Sequence, residues 1–291
     1  MVSGQTSSLS CSKPAWLKKN INLSLNHKLK TRLRNLSLNT VCEESRCPNI
    51  SECFSKQVAT FLILGDVCTR GCSFCLIGKG KPGQLDFNEP QRIAQAAKLL
   101  NLNYLVITSP TRDDLLDGGA AIFVETVREI LALDPKKRVE LLIPDFLGKK
   151  DSIEKVVESG AETIAHNLET VPKLYKKVRK GASYRRSLFV LETTKKLNQR
   201  IFTKTGLMFG LGEKEKEVKR VLADLNSIGC DFLTLGQYLP PSRNNYPLKS
   251  YVHPDTFDYF KNYALKLGFK NVISGPYVRS SYMAHLMSSG L

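Results

Sequence analysis

The sequence predicts an α/β fold, a parallel sheet curled into a partial (β/α)6 barrel of the TIM-like kind with an extension at each end. Three observations carry this. Six short runs rich in Ile, Leu, Val and Phe read as buried strands, each is followed by a stretch whose apolar residues recur at helical spacing, and neither a long linker nor an internal repeat interrupts the alternation. Alternation of strand and helix makes consecutive strands parallel neighbours. At 291 residues the chain is long enough to bury such a core as one domain.

Taken in order, residues 1–39 are polar and basic, with a possible helix over 28–36 and a tryptophan, Trp16, that reads as a packing residue. This is an arm laid on the core. With the cysteine-bearing segment 41–54 it forms an N-terminal extension, 1–54, ahead of a core at 55–275. The first strand, 58–66, closes on Gly65-Asp66. Helical periodicity over 90–102 leads to a strand at 104–108, the helix 119–133 to one at 139–143, and the helix 151–159 to one at 162–165. Basic helical stretches over 172–197 precede a strand at 201–208, and the helix 214–228 precedes 231–235. A helix at 255–267 and a short apolar stretch at 271–273 end the pattern; 276–291 is the C-terminal extension.

Directly after the first strand come Cys68, Cys72 and Cys75, spaced C-x3-C-x2-C. Loops past the carboxyl ends of parallel strands are where such sheets build their sites. Three thiols are one too few for a closed tetrahedral zinc, and neither His166 nor Cys230 is placed to complete one locally. Three thiolates on a cubane iron-sulfur cluster instead leave one iron open to an outside ligand. Zinc and a redox pair stay open as readings of the spacing alone. The spacing resembles the cluster motif of the radical S-adenosylmethionine enzymes, in which the open iron chelates the methionine part of the cofactor.

Other strand-end loops are polar in a way a core does not need. Thr108 to Asp114 follows the second strand, His166-Asn167-Leu168-Glu169-Thr170 the fourth, Gly210-Leu211-Gly212-Glu213 the fifth and Gln237 to Arg243 the sixth. Each has an ordinary explanation by itself: Glu169 and Glu213 as acids at helix N-termini, Gly210 and Gly212 as a turn, His166 as a hydrogen-bonded strand-end residue. Their common placement with the cysteines is what singles them out.

The formal net charge of +16 points to an anionic partner. No helix-turn-helix, zinc-finger spacing or aromatic-basic ribonucleoprotein motif accompanies it, so nucleic acid is not expected. A docking face for an acidic protein is. The longest apolar run is far too short to cross a membrane, and the first residues lack the apolar core of a signal peptide. A cytoplasmic protein is expected, with an organellar transit peptide left open by the Ser-rich, basic start. Eight cysteines without a secretion signal indicate metal or redox chemistry; Cys11 reads as a tail thiol and Cys230 as a small buried hydrophobe.

Six of the eight cysteines fall between Cys42 and Cys75, because Cys42, Cys47 and Cys53 form a second triad, C-x4-C-x5-C. Two incomplete triads suggest two clusters. Here the chain resembles the lipoyl synthase family of radical SAM enzymes. The resemblance runs from about Trp16 to the end, through Arg112-Asp113-Asp114-Leu115, His166 to Val171, Tyr184 to Leu188, Leu235 to Tyr238 and the terminal Arg279-Ser280-Ser281-Tyr282. Ala165 stands where many members have Asn and Arg185 where Gln is frequent; neither touches a cysteine motif.

The resemblance implies a barrel of the radical SAM type and insertion of two sulfur atoms at C6 and C8 of an octanoyl chain. Cys68, Cys72 and Cys75 would hold the 4Fe-4S cluster that cleaves S-adenosylmethionine. Cys42, Cys47 and Cys53 would hold an auxiliary 4Fe-4S cluster, the sulfur donor, with Ser280 as fourth ligand. By position Asn167 and Glu169 are candidates for the ribose of the cofactor, Arg186 for its carboxylate, and Gly210 to Gly212 for the adenine edge. The implied partners are an octanoylated lipoyl carrier domain (a 2-oxoacid dehydrogenase E2 component or the glycine cleavage H protein), an electron carrier such as ferredoxin or flavodoxin, and a factor that rebuilds the auxiliary cluster. Two rivals remain: a biotin-synthase-like sulfur insertion, and a basic zinc protein that binds nucleic acid.

Overall fold

The computed structural model describes residues 13–18, 38–45, 47, 49–55 and 58–289; the expected helix over 28–36 and Cys11 lie outside them. Eight strands form one sheet whose spatial order follows the chain: β1 (Asn39–Thr40), β2 (Val58–Leu62), β3 (Tyr104–Thr108), β4 (Arg138–Leu142), β5 (Thr163–Ala165), β6 (Phe202–Phe209), β7 (Phe232–Gln237) and β8 (Asn271–Gly275). β1 is antiparallel to β2, and every other neighbouring pair is parallel. β1 and β8 are the two edges, so the barrel is incomplete.

The six expected strands are present, and two more flank them. β1 has only two residues, too few to show a period, and β8 buries only Val272 along its length, so its pattern reads weakly. β2 and β3 are buried at every position, which is why they appear in the sequence as unbroken apolar runs. Between strands lie α1 (Glu89–Leu99), α2 (Ala120–Leu133), α3 (Lys150–Val157), α4 (Tyr184–Leu197), α5 (Glu215–Ser227) and α6 (Pro254–Leu267). Each buries one stripe. In α5 it is Val218, Val221, Leu222 and Leu225, the spacing of a single helix face. Cys230 is buried, as its small apolar character suggests.

Trp16 departs from expectation. It is 40% exposed and meets the His253 ring edge-on at 5.0 Å, while its neighbour Leu17 is the residue packed into the core. No described helix is long and apolar enough to cross a membrane.

Candidate active site

The first triad hangs on a strained turn. Leu64 and Gly65 both take positive φ, 68° and 86°, to swing the chain off the end of β2. The turn is pinned from two sides: the Leu64 N–H donates to the Glu89 carboxylate at 2.8 Å, and Arg112 Nη1 donates to the Leu64 carbonyl at 3.0 Å. Glu89 and Arg112 are both buried, so water does not compete.

From there the loop is clamped along its length. The Thr69 amide and hydroxyl donate to the Thr111 carbonyl at 3.0 and 2.9 Å, and Asp113 N donates back to the Thr69 hydroxyl at 3.1 Å. Arg70 makes paired bonds to Asp113 (2.7 and 2.8 Å) and to Asp145 (3.0 and 2.7 Å). Burial works against the Asp145 charge, but Arg70, with Arg186 beside it, holds that carboxyl well below the usual range. Farther on, Ser73 N donates to the Val178 carbonyl at 2.9 Å, and Asn245 Nδ2 donates to the Cys75 carbonyl at 2.9 Å. Loops from β3, β4, β5 and β7 thus fix a loop that has almost no regular structure of its own.

The charges of Cys68 and Glu169 both act on Cys72 and Cys75. Burial pushes the Cys75 thiol up to about 11, with the Cys72, Cys68 and Glu169 charges adding to it, and burial also raises Cys72 against the pull of Arg179. Glu169 itself takes a left-handed conformation, φ 65°. Its amide donates to the Gly206 carbonyl at 2.9 Å and its carbonyl accepts from Met208 N at 2.8 Å, so the edge of β6 fixes a backbone that would otherwise be strained. Asn167 Nδ2 donates to the Glu169 carboxylate at 3.0 Å.

In the second triad Cys42 and Cys53 sit on two short helices, Val41–Glu44 and Ile50–Ser55, and Cys47, between them, donates its N–H to the Cys42 carbonyl at 3.0 Å. Burial raises the Cys42 thiol strongly, and the Cys47 and Cys53 charges raise it further. A cavity of about 500 Å³ is lined by Cys42, Cys47, Cys53 and Ser280 together with Cys75, Asn167 and Glu169, while Cys68 and Cys72 stand outside its lining.

A family model described as the radical SAM superfamily matches residues 62–225, and one described as the N-terminal domain of lipoyl synthase matches residues 3–47. A lipoyl synthase of Caldicellulosiruptor saccharolyticus is 56% identical over 94% of this chain and 96% of its own length; one of Geotalea daltonii is 51% identical over 96% and 94%. The chain belongs to the lipoyl synthase family. It is a radical SAM enzyme, and the biotin-synthase-like and zinc readings give way. The fold agrees: methylornithine synthase (PylB) aligns with TM-score 0.58 at 17% identity, covering 86% of this chain and 78% of that one, and HydG, a maturase of the [FeFe]-hydrogenase, aligns with TM-score 0.59 at 14%, covering 87% and 63%.

The donor sets suit the clusters of a lipoyl synthase. Among the described residues no three His, Cys, Asp or Glu side chains converge on a point that a single ion would occupy. A cubane binds each thiolate through a different iron, so its ligands stand around it and not at one point. Partly buried thiols grouped in this way are stabilised as thiolates by a cationic iron core.

Not every expected residue reaches the cavity. Arg186 does not line it: its Nε donates to Asp145 at 2.7 Å and its Nη2 to the Gly181 carbonyl at 2.7 Å. Gly210 and Gly212 are also outside the lining. Their turn is closed by Glu213, whose carboxylate accepts from Gly210 N at 2.6 Å and Leu211 N at 2.9 Å, and a Cβ on Gly210 would lie 2.3 Å from Gln237 Nε2. Arg179, which the sequence did not single out, also lies outside the cavity lining but differs from Arg186 in its partners. Its Nη1 donates to the Tyr175 hydroxyl at 3.1 Å and to the Ser187 hydroxyl at 3.0 Å, while its buried Nε has no hydrogen-bond partner. Its charge acts on Cys72 and Glu169 alike.

Proposed function

We propose that the protein inserts sulfur at carbons six and eight of an octanoyl chain carried on a lysine of a lipoyl carrier domain, with the site residues assigned as follows. The observation that carries this is the shared cavity, which Cys42, Cys47, Cys53 and Ser280 line together with Cys75 of the other set. Neither carbon bears an acidic hydrogen, so no general base on this chain could activate it. When bound, the first cluster with S-adenosylmethionine supplies a 5'-deoxyadenosyl radical, and the second supplies sulfide.

Cys68, Cys72 and Cys75 hold the first cluster; Cys42, Cys47, Cys53 and Ser280 hold the second. Asn167 and Glu169 orient the ribose hydroxyls. Arg179, in place of Arg186, receives the methionyl carboxylate, because a buried N–H without a partner is costly until an anion meets it. Val41, Leu76, Ile77, Leu239 and Pro240 give the alkyl chain an apolar wall that excludes water. The extensions, 1–54 and 276–291, complete the second cluster site around the core, 55–275. The basic surface suits an acidic carrier such as an E2 lipoyl domain or a glycine cleavage H protein. A ferredoxin or flavodoxin and a cluster-rebuilding factor complete the cycle.

The test separates the two cysteine sets. Cys72→Ala abolishes 5'-deoxyadenosine formation, whereas Cys47→Ala still forms it but yields no lipoyl product by mass spectrometry of the carrier. Equal loss of 5'-deoxyadenosine in both variants, each still folded, overturns the assignment.

A further inference from the structure

The C-terminal tail is tied at residues that begin their strands. Past Gly275 it presses onto the backbone of β7 so closely that a Cβ on Gly236 would lie 2.1 Å from the Val278 carbonyl oxygen. At Ser280 it lines the cavity. It then runs back to residues that begin their strands. Ala284, fully buried, packs with Tyr104 and Val106 of β3, and Met287 is 1% exposed. Asn271 Nδ2, on the first residue of β8, donates to the Leu286 and Met287 carbonyls at 3.3 and 3.0 Å. Arg138, on the first residue of β4 and held by Glu162 through bonds of 2.7 and 2.9 Å, donates to the Ser288 hydroxyl.

A chain terminus ordinarily frays unless something holds it. Here residues 284–288 make the hold and line no part of the cavity, yet only three residues separate Ser280 from Ala284. Each spans at most about 3.6 Å, so little slack remains between the buried turn and the serine. A hydroxyl is a weak donor to iron beside thiolates. On a free tail its effective concentration at the cluster would fall with the length of loose chain.

We propose that residues 284–288 are an anchor that sets Ser280 at the second cluster, with Asn271 as the positioning residue that fastens it. The inference rests on Ser280 being a ligand. The Mössbauer spectrum of the second cluster reads it directly, in protein loaded with both clusters. Chain ended after Met283, and full-length Asn271→Ala, are compared with wild type and with Ser280→Ala; 5'-deoxyadenosine formation shows that each still folds around its first cluster. In the shortened chain the second cluster should show the spectrum of Ser280→Ala, and Asn271→Ala should show a mixture of that spectrum and the wild-type one. A wild-type spectrum in both the shortened chain and Asn271→Ala overturns the anchor while leaving the ligand in place. If the shortened chain does not fold, Asn271→Ala decides alone. A wild-type spectrum in Ser280→Ala itself removes the ligand, and the anchor with it.

Discussion

The Ser280 hydroxyl donates to the Asn167 side-chain oxygen across 2.9 Å. Because Asn167 Nδ2 is already donating to Glu169, the amide cannot turn over without losing both bonds, and its oxygen is fixed towards the serine. One side chain therefore touches the proposed ribose acid and the proposed weak ligand.

Ser280 is expected to matter for sulfur transfer and not for radical formation. Ser280→Ala should assemble both clusters and cleave S-adenosylmethionine at close to the wild-type rate, yet lose most of its lipoyl product. Ser280→Cys should hold the iron more firmly, as a softer donor does, and also transfer sulfur poorly. Carrier mass spectra set against 5'-deoxyadenosine turnover measure both. Full lipoyl yield from Ser280→Ala would take the serine out of the chemistry.

Arg179 should set affinity for the cofactor through its carboxylate. A charge-assisted hydrogen bond is worth about 1.5–3 kcal/mol, so Arg179→Met should weaken S-adenosylmethionine binding about 10- to 160-fold. Decarboxylated S-adenosylmethionine has nothing to offer that guanidinium and should bind wild type and variant alike. Equal loss for both ligands, measured by equilibrium binding, would mean the substitution damages the site in general.

The contrast between Arg179 and Arg186 shows where the sequence stops being legible. Two arginines seven residues apart lie in one basic stretch, and which of them turns inward depends on Asp145, reached from β4, and on Ser187 and Tyr175 closing around the other. Only packing decides that. The one local hint was an arginine among Lys176, Lys177 and Lys180. The cysteine spacings and the apolar runs of β2 to β7 were legible because each is a short-range pattern with its own period. The path of the tail from Ser280 to Ser288 has no such pattern: it is set by partners such as Asn271 and Arg138, one of them 150 positions away.

Glu89 should behave as part of the site though it touches no cluster. Glu89→Gln keeps an acceptor for the Leu64 amide and should be close to neutral. Glu89→Ala leaves that buried N–H unsatisfied, a cost of about 1–3 kcal/mol, and frees the positive-φ turn that feeds the first triad. Iron bound per chain after anaerobic reconstitution should fall in Glu89→Ala while Cys42, Cys47 and Cys53 keep theirs. An undiminished first cluster in Glu89→Ala would show that the clamps on Thr69 and Ser73 suffice.

His166 gives the stability a pH dependence whose sign can be worked out. The ring is buried, with Nδ1 2.9 Å from the Ile143 carbonyl and Nε2 3.0 Å from the Ser187 hydroxyl. A carbonyl can only accept, so Nδ1 carries the proton and Nε2 accepts from Ser187, which in turn accepts from Arg179. Burial, with the Arg179 charge next, lowers the His166 pKa to about 4. The unfolded chain takes up a proton near pH 6.5 and the native one does not until pH 4, so the stabilisation is complete above about pH 6.5 and is lost as pH falls from there towards 4. At about 1.4 kcal/mol per pH unit the whole effect is about 3 kcal/mol. In His166→Gln, which has no proton to gain, Tm should fall less between pH 7.5 and 5.5 than in wild type, even if the variant starts lower. Parallel Tm curves for the two proteins over that range would show that His166 is protonated as easily in the fold as out of it.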